Sequence, residues 1–215
     1  FSIDWSFNMH DRVGHIGGRP GYEFFPKDGN YLYTMAEWFP RMAVYSDFQG
    51  WQHKQFVGRG EFALTFGDYK VKITVPADHM VGSTGVLQNA DKVLSATELD
   101  RWKTAQKTFD TPVVIRTQAE AEKLEKTKAK DKKTWEFHAE NVRDFAWTSS
   151  RKFIWDAQKQ TVGNKDILCM SYYPKEGNPL WERYSTKLVA HTIKTYSKYT
   201  VNYPYPVAIS VHSKW

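Results

Sequence analysis

The sequence predicts a mainly β fold that changes character near Asn164, where a strand–helix–strand unit begins. Three observations carry this expectation. Between Ser2 and Asn164 apolar and polar residues alternate over short runs. The runs are separated by Gly, Pro, Asn and Asp, the residues that punctuate strands. Beyond Asn164 the apolar spacing lengthens to the i,i+4 pattern of a helix.

Taken in order, the chain opens with Phe1, Ile3 and Trp5 on one face of an alternating run and Ser2, Asp4 and Ser6 on the other. The stretch "GGRPGY" lacks the downstream lysine of a phosphate loop, so Gly17, Gly18 and Gly21 read as a tight turn. A dense aromatic run follows, with Trp38, Phe39, Tyr45, Phe48, Trp51, Phe56 and Phe62, and reads mostly as the wall of a core. "RGEFALTF" and "YKVKITVP" are predicted to form a hairpin that turns at Gly67 and Asp68. In the second strand Val71, Ile73 and Val75 face inward against Lys70, Lys72 and Thr74, and Pro76 ends it. "MVGSTGVLQ", "TPVVIRT", "TWEFHAE" and "VRDFAWTSS" continue the series of short strands.

Two helices interrupt this pattern. Ser95 and Glu98 have capping-box spacing, and Leu99, Trp102 and Phe109 then recur on one face. The second helix belongs to the lysine-rich run 122–133, where Glu122 and Lys126 stand i,i+4. Past Asn164, Ile167 to Tyr173 reads as a strand. Asn178 is placed as the N-cap of a long helix with Pro179 at its first position. Leu180, Tyr184 and Leu188 stack along that helix, with Val189, Ile193 and Tyr196 beside them. The prolines of "NYPYP" stop it, and a strand from Val207 to His212 follows. Two domains are therefore expected, 1–164 and 165–215, and both ends of the chain read as cut from something longer.

Composition narrows the function classes. Hydrophobic residues make up 41% and charged residues 25%, the balance of a folded globular protein rather than a disordered one. No apolar run approaches the ~20 residues that span a bilayer, so no membrane span is expected. The net charge of +6 invites a nucleic-acid partner. Much of the excess, however, lies in the run 122–133, whose lysines read as a solvated face, so no nucleic acid is expected. The single cysteine, Cys169, excludes an internal disulfide framework and a cysteine zinc site. His10, His15, His53, His79, His138, His191 and His212 include no pair with the His-Glu-x-x-His spacing, and most read as surface or turn residues. Ser149, Ser150 and Ser185 have no Gly-x-Ser-x-Gly elbow. The 9 Trp, 12 Tyr and 13 Phe fit either a stacking surface for sugars or peptides or a wide β interface. The alternation of Trp135, Phe137, Phe145 and Trp147 favours the interface.

Several strings carry a resemblance. "EWFPRMAVYSDFQGWQHKQFVGRGEFALTFGDYKVKITVPADHMVGSTGVLQN", "AENVRDFAWTSSRKFIWDA" and "YYPKEGNPLWERYSTKLVAHTIKTYSKYTVNYPYP" resemble the amino-terminal portion of the aminopeptidase N-like zinc metallopeptidases, in particular their bacterial branch. The resemblance covers nearly the whole chain. It implies a saddle-shaped β-sandwich domain followed by the first strand, helix and strand of a thermolysin-like catalytic domain, in an enzyme that removes amino-terminal residues from peptides. The family's Gly-x-Met-Glu motif, its His-Glu-x-x-His zinc helix and the residues after them do not occur before Trp215. Zinc is therefore expected in a parent enzyme, with no metal ligand and no catalytic residue in this chain. The implied partners are peptide substrates and the rest of the catalytic domain, with self-association through the tail as a further expectation. The bacterial resemblance favours a periplasmic or secreted location.

One substrate-binding position is implied. Relatives often carry "TQ" and then an aromatic residue where the β-domain meets the active site, and that Gln lines the pocket for the first substrate side chain. Here "YTMAEWFPRM" aligns Glu37 with it. A carboxylate would favour cationic or polar residues. An ion pair with a nearby arginine at a strand end is the other reading of Glu37. An autonomous β-sandwich that binds peptide or glycan through exposed aromatics is the alternative for the whole chain.

Overall fold

The computed structural model describes residues 2–12, 19–54 and 63–213. Phe1, His15, Gly17, Gly18, Phe56, Phe62 and Trp215 lie outside them, as does the first half of "RGEFALTF". Strand accounts for 38% of the structure and helix for 22%, a mainly β fold with several sheets.

The first sheet is antiparallel and has the order β1 (Gly21–Phe25), β2 (Asn30–Met35), β10 (Trp147–Ser150), β6 (Met80–Ser83). The second places β9 (Lys132–Val142) between β5 (Gly67–Pro76) and β7 (Val86–Leu87). The third has the order β13 (Val207–Val211), β12 (Lys165–Tyr173), β11 (Ile154–Val162), β8 (Val113–Arg116). Its β12–β13 pair is parallel and its other pairs are antiparallel. A small hairpin joins β3 (Val44–Ser46) to β4 (Gly50–Gln52). The helices are α1 (Ala90–Val93), α2 (Ala96–Ala105), α3 (Gln118–Leu124) and α4 (Leu180–Tyr199).

Local signals placed several of these elements. The Ser95–Glu98 capping box is formed, with both reciprocal hydrogen bonds, and starts α2. Glu98 also pairs with buried Arg116 at 2.6 Å, so one carboxylate fixes both the helix start and its seat on β8. A second capping box, Thr117 with Glu120, starts α3 ahead of the lysine run. The alternation read in "YKVKITVP" is β5, which buries Ile73 and Val75. Its partner differs from the expected one. β5 pairs over its length with β9, and Gly67 lies inside that ladder, while residues 63–66 form no strand. The turn signal at Gly67 and Asp68 misled because a β-bulge there takes up the same residues.

Residues 2–10 form no strand and are exposed. Trp5 stacks on Phe7 at 5.5 Å and tilts against Trp38 at 5.4 Å, so the alternation places rings together without a ladder. Asn178 serves α4 one residue earlier than expected. Pro179 occupies the N-cap, and the Asn178 Oδ1 accepts from the Glu182 amide at 3.2 Å.

One large core collects Trp102, Trp135, Phe137, Phe145, Phe153, Trp155 and Tyr172 among its buried side chains. Each contributes roughly 1.5–3 kcal/mol on burial. The expected division at Asn164 falls in the turn of the β11–β12 hairpin, which is joined across it by nine residue pairs from Ile154↔Tyr173 to Val162↔Lys165. Leu168, Met170 and Tyr172 from beyond that turn belong to the same core as Phe25 and Leu32. The two expected domains thus share one sheet and one core.

Candidate functional site

A groove of about 1050 Å³ runs between the β6–β7 turn and the end of β9 on one side and β13 on the other. Gly85 makes the close turn possible. Its φ is +85°, and an added Cβ would come within 2.4 Å of the His138 carbonyl oxygen. Val207, Ile209 and Val211 project from β13 into the groove. The Pro206 carbonyl accepts from the Leu168 amide, and the His212 amide donates to the Tyr172 carbonyl, so the even-numbered peptide groups serve β12. In a parallel pair the alternate groups point the other way, so those of Ile209 and Val211 face the side of β13 that has no partner strand among the described residues. Trp147 and Thr34 also line the groove, and the Trp147 Nε1 and Thr34 Oγ1 are buried without a partner. Its ionic groups are mostly engaged: Asp144 with Arg41 at 3.1 Å and Asp166 with Lys159 at 3.4 Å.

Glu37 stands beyond the end of β2, three residues after groove-lining Thr34. Its φ of +53° lies in the left-handed region that few non-glycine residues adopt. Neighbouring contacts hold it there. Trp38 donates its indole N–H to the Phe145 carbonyl at 2.8 Å and meets Trp147 edge-on at 6.1 Å. Arg41 bonds both Asp144 and the Arg143 carbonyl. The Glu37 carboxylate is half exposed and pairs with Arg19 at 3.4 Å. The structure therefore contains the arginine pair, one of the two readings of this residue. The rest of the aromatic run divides. Trp38 and Phe39 pack on the core, whereas Tyr45, Phe48 and Trp51 are exposed on the β3–β4 hairpin, Phe48 by 80%.

The fold brings His79 and Ser149 together, with Nδ1 and Oγ 2.8 Å apart. Both are buried, and burial followed by the charge of Arg151 pushes His79 down to about 4. This neutral imidazole bonded to a hydroxyl lines none of the principal cavities and is a structural pair. Cys169 is buried and free.

Two buried ionisable groups had no signature in the sequence. Lys152 has no exposed surface and pairs with Asp28, with Glu125 at 2.9 Å and with Glu176 at 3.0 Å. Burial alone would lower its pKa, but the hydrogen bonds its ammonium donates to Asp28, Glu125 and Glu176 prevail and raise it. Asp156 is buried under α4 with one carboxylate oxygen unpartnered. Distance hides such groups: Asp28 and Lys152 are 124 positions apart.

Among the described residues no group of three His, Cys, Asp or Glu side chains could hold a metal ion. Nor is any described helix long and apolar enough to cross a membrane. Neither protein-family models nor curated proteins give a match to this sequence.

Proposed function

We propose that this chain forms the amino-terminal part of a zinc-dependent aminopeptidase, with its β-structure closing one side of the substrate cleft. The observation that carries this reading is Glu37, whose backbone is held in a left-handed conformation three residues from groove-lining Thr34, in a groove whose other wall is β13, an edge strand among the described residues. Strained backbone clusters at ligand-binding positions, and an anion there suits a substrate's amino end or a cationic side chain. The sequence resemblance points the same way. The outer face of α4 adds support, because Leu180 and Leu188 are 64% and 58% exposed, as in a helix that meets further structure. The zinc and its ligands would belong to another part of the enzyme, and no step of the reaction is assigned to residues of this chain.

The test is to read the gene past Trp215 and assay its full product. A Gly-x-Met-Glu motif and a His-Glu-x-x-His helix are expected, together with chelator-sensitive hydrolysis of aminoacyl p-nitroanilides. Glu37→Ala in that product should raise KM more for basic than for neutral aminoacyl groups. A reading frame without the zinc helix would overturn the assignment.

A second reading rests on a separate observation. Phe24 and Tyr31 are exposed on the first sheet, and Tyr31 and Tyr33 stack at 6.0 Å. Such rings can stack sugars or peptides. Glycan binding lost in Tyr31→Ala would favour this reading over the first.

A further inference from the structure

α4 seats on the third sheet through Thr186, Ala190 and Ile193. At this contact Asp156, on β11, is 1% exposed and lies directly across the ladder from Ser171 of β12. The Tyr173 hydroxyl donates to its Oδ2 at 2.6 Å, while Oδ1 has no partner. Around it the Thr186 hydroxyl donates to Ser171 at 2.7 Å, and Ser171 donates to Ser185 at 2.8 Å, which links the helix to the sheet through hydroxyls alone. The titratable groups that bear on the carboxyl are Tyr173 from β12 and Glu182 from α4. β8 presents Val114 opposite it.

We propose that Asp156 makes the docking of α4 on its sheet depend on proton concentration, the helix being held tightly when the carboxyl is protonated and loosened when it ionises. The geometry supplies the reason. A buried carboxylate with an unpartnered oxygen and a like charge nearby is costly, whereas the acid form carries a donor for which the Thr186 hydroxyl oxygen is a neighbouring acceptor. Burial raises the group from 3.8 to about 6, against the nearby hydroxyls of Thr186 and Tyr173 and with the help of Glu182. The sign follows. A carboxyl whose docked pKa lies above its undocked value binds more protons when docked, so docking is favoured in acid and weakens as pH rises from about 4 to about 6. This inference is independent of the proposed activity.

Hydrogen exchange of the α4 amides in the full chain tests it, corrected for intrinsic rates, with α2 as an internal control. The ratio of opened to closed α4 should rise about fiftyfold between about pH 4 and pH 7.5. Asp156→Asn should flatten that rise and leave α2 unchanged. Parallel behaviour of α4 and α2 in the wild type, or an unaltered profile in Asp156→Asn, would overturn the proposal. If the variant does not fold, carbon-13 titration of the wild-type carboxyl decides. A midpoint near 6 supports the proposal, and one at the ordinary carboxylate value refutes it.

Discussion

Lys152 joins four segments that the sequence keeps far apart: the β1–β2 turn through Asp28, the C-cap of α3 through Glu125, its own position after β10, and the turn before α4 through Glu176. Removing one partner of a buried charge cluster leaves the others uncompensated. Lys152→Met is therefore expected to cost about 3–5 kcal/mol in urea unfolding, and an unchanged midpoint would show that the carboxylates find other partners. Exposed Lys130, from the lysine run, should tolerate Gln within about 0.5 kcal/mol. Lys128 should not behave like it, because its ammonium bonds the Asp28 and Gly29 carbonyls and the Asn30 side chain. The solvated-face reading of 122–133 thus holds for some lysines and fails for Lys128. Acid should act on the cluster in one direction. Burial would raise Asp28, but its bonds and charge contact with Lys152 and its bonds with Asn30 prevail and lower it. Its contribution is then present above the ordinary carboxylate value of 3.8 and is lost as pH falls through the lowered one. Thermal melts should show stability falling below about pH 4 in the wild type and less so in Lys152→Met.

At the scale of elements, what could be read from the sequence was what neighbours in the chain decide. The Ser95–Glu98 box and the alternation of β5 and β9 needed only residues a few positions apart. The pairing of β5 with β9 did not follow, because it closes across three strands and the first three helices. The i,i+4 stripe of α4 shows a related limit. Period identified the helix, but the stripe of Leu180, Tyr184 and Leu188 is the exposed face, while small Thr186 and Ala190 let the helix approach the sheet beside Ile193. Periodicity reports that a face is apolar and is silent on what covers it. Replacing Leu180 and Leu188 by Gln should accordingly leave the melting temperature of this chain nearly unchanged. Ile193→Ala should cost about 2–5 kcal/mol. If the Leu pair proved as costly as Ile193, the stripe would be buried in solution by a second copy, which sedimentation would detect. Of the candidate site the sequence offered only Glu37, through the resemblance, and Glu37 is not among the residues that line the groove. The groove itself is made by β6, β9 and β13, which meet only in three dimensions.

The molecule as a whole behaves as one packed body where the change of sequence pattern suggested two. A shift from alternating to helical period marks a change of secondary structure, and it coincides with a domain boundary only if few contacts cross it. Here β12 completes the sheet begun by β8 and β11, and Tyr172 stacks on Trp155 with ring centroids 5.4 Å apart. Gly82 of the first sheet is close-packed on the same ring, since an added Cβ would meet it at 2.9 Å. Residues 1–164 alone would therefore lose Leu168, Met170 and Tyr172 from the core and expose the full hydrogen-bonding edge of β11. At roughly 1.5–3 kcal/mol for each side chain, the loss is about 5–9 kcal/mol before any ladder bond is counted. That is comparable with the whole stability of an ordinary domain, about 5–15 kcal/mol. A chain ending at Asn164 is thus expected to show no cooperative melt by circular dichroism and to be digested rapidly by trypsin. In the full chain β12 should resist cleavage as firmly as β5 and β9. A cooperative transition in residues 1–164, within a few degrees of the full chain, would restore the division at Asn164 and reduce β12 to a strand that docks on a domain already complete.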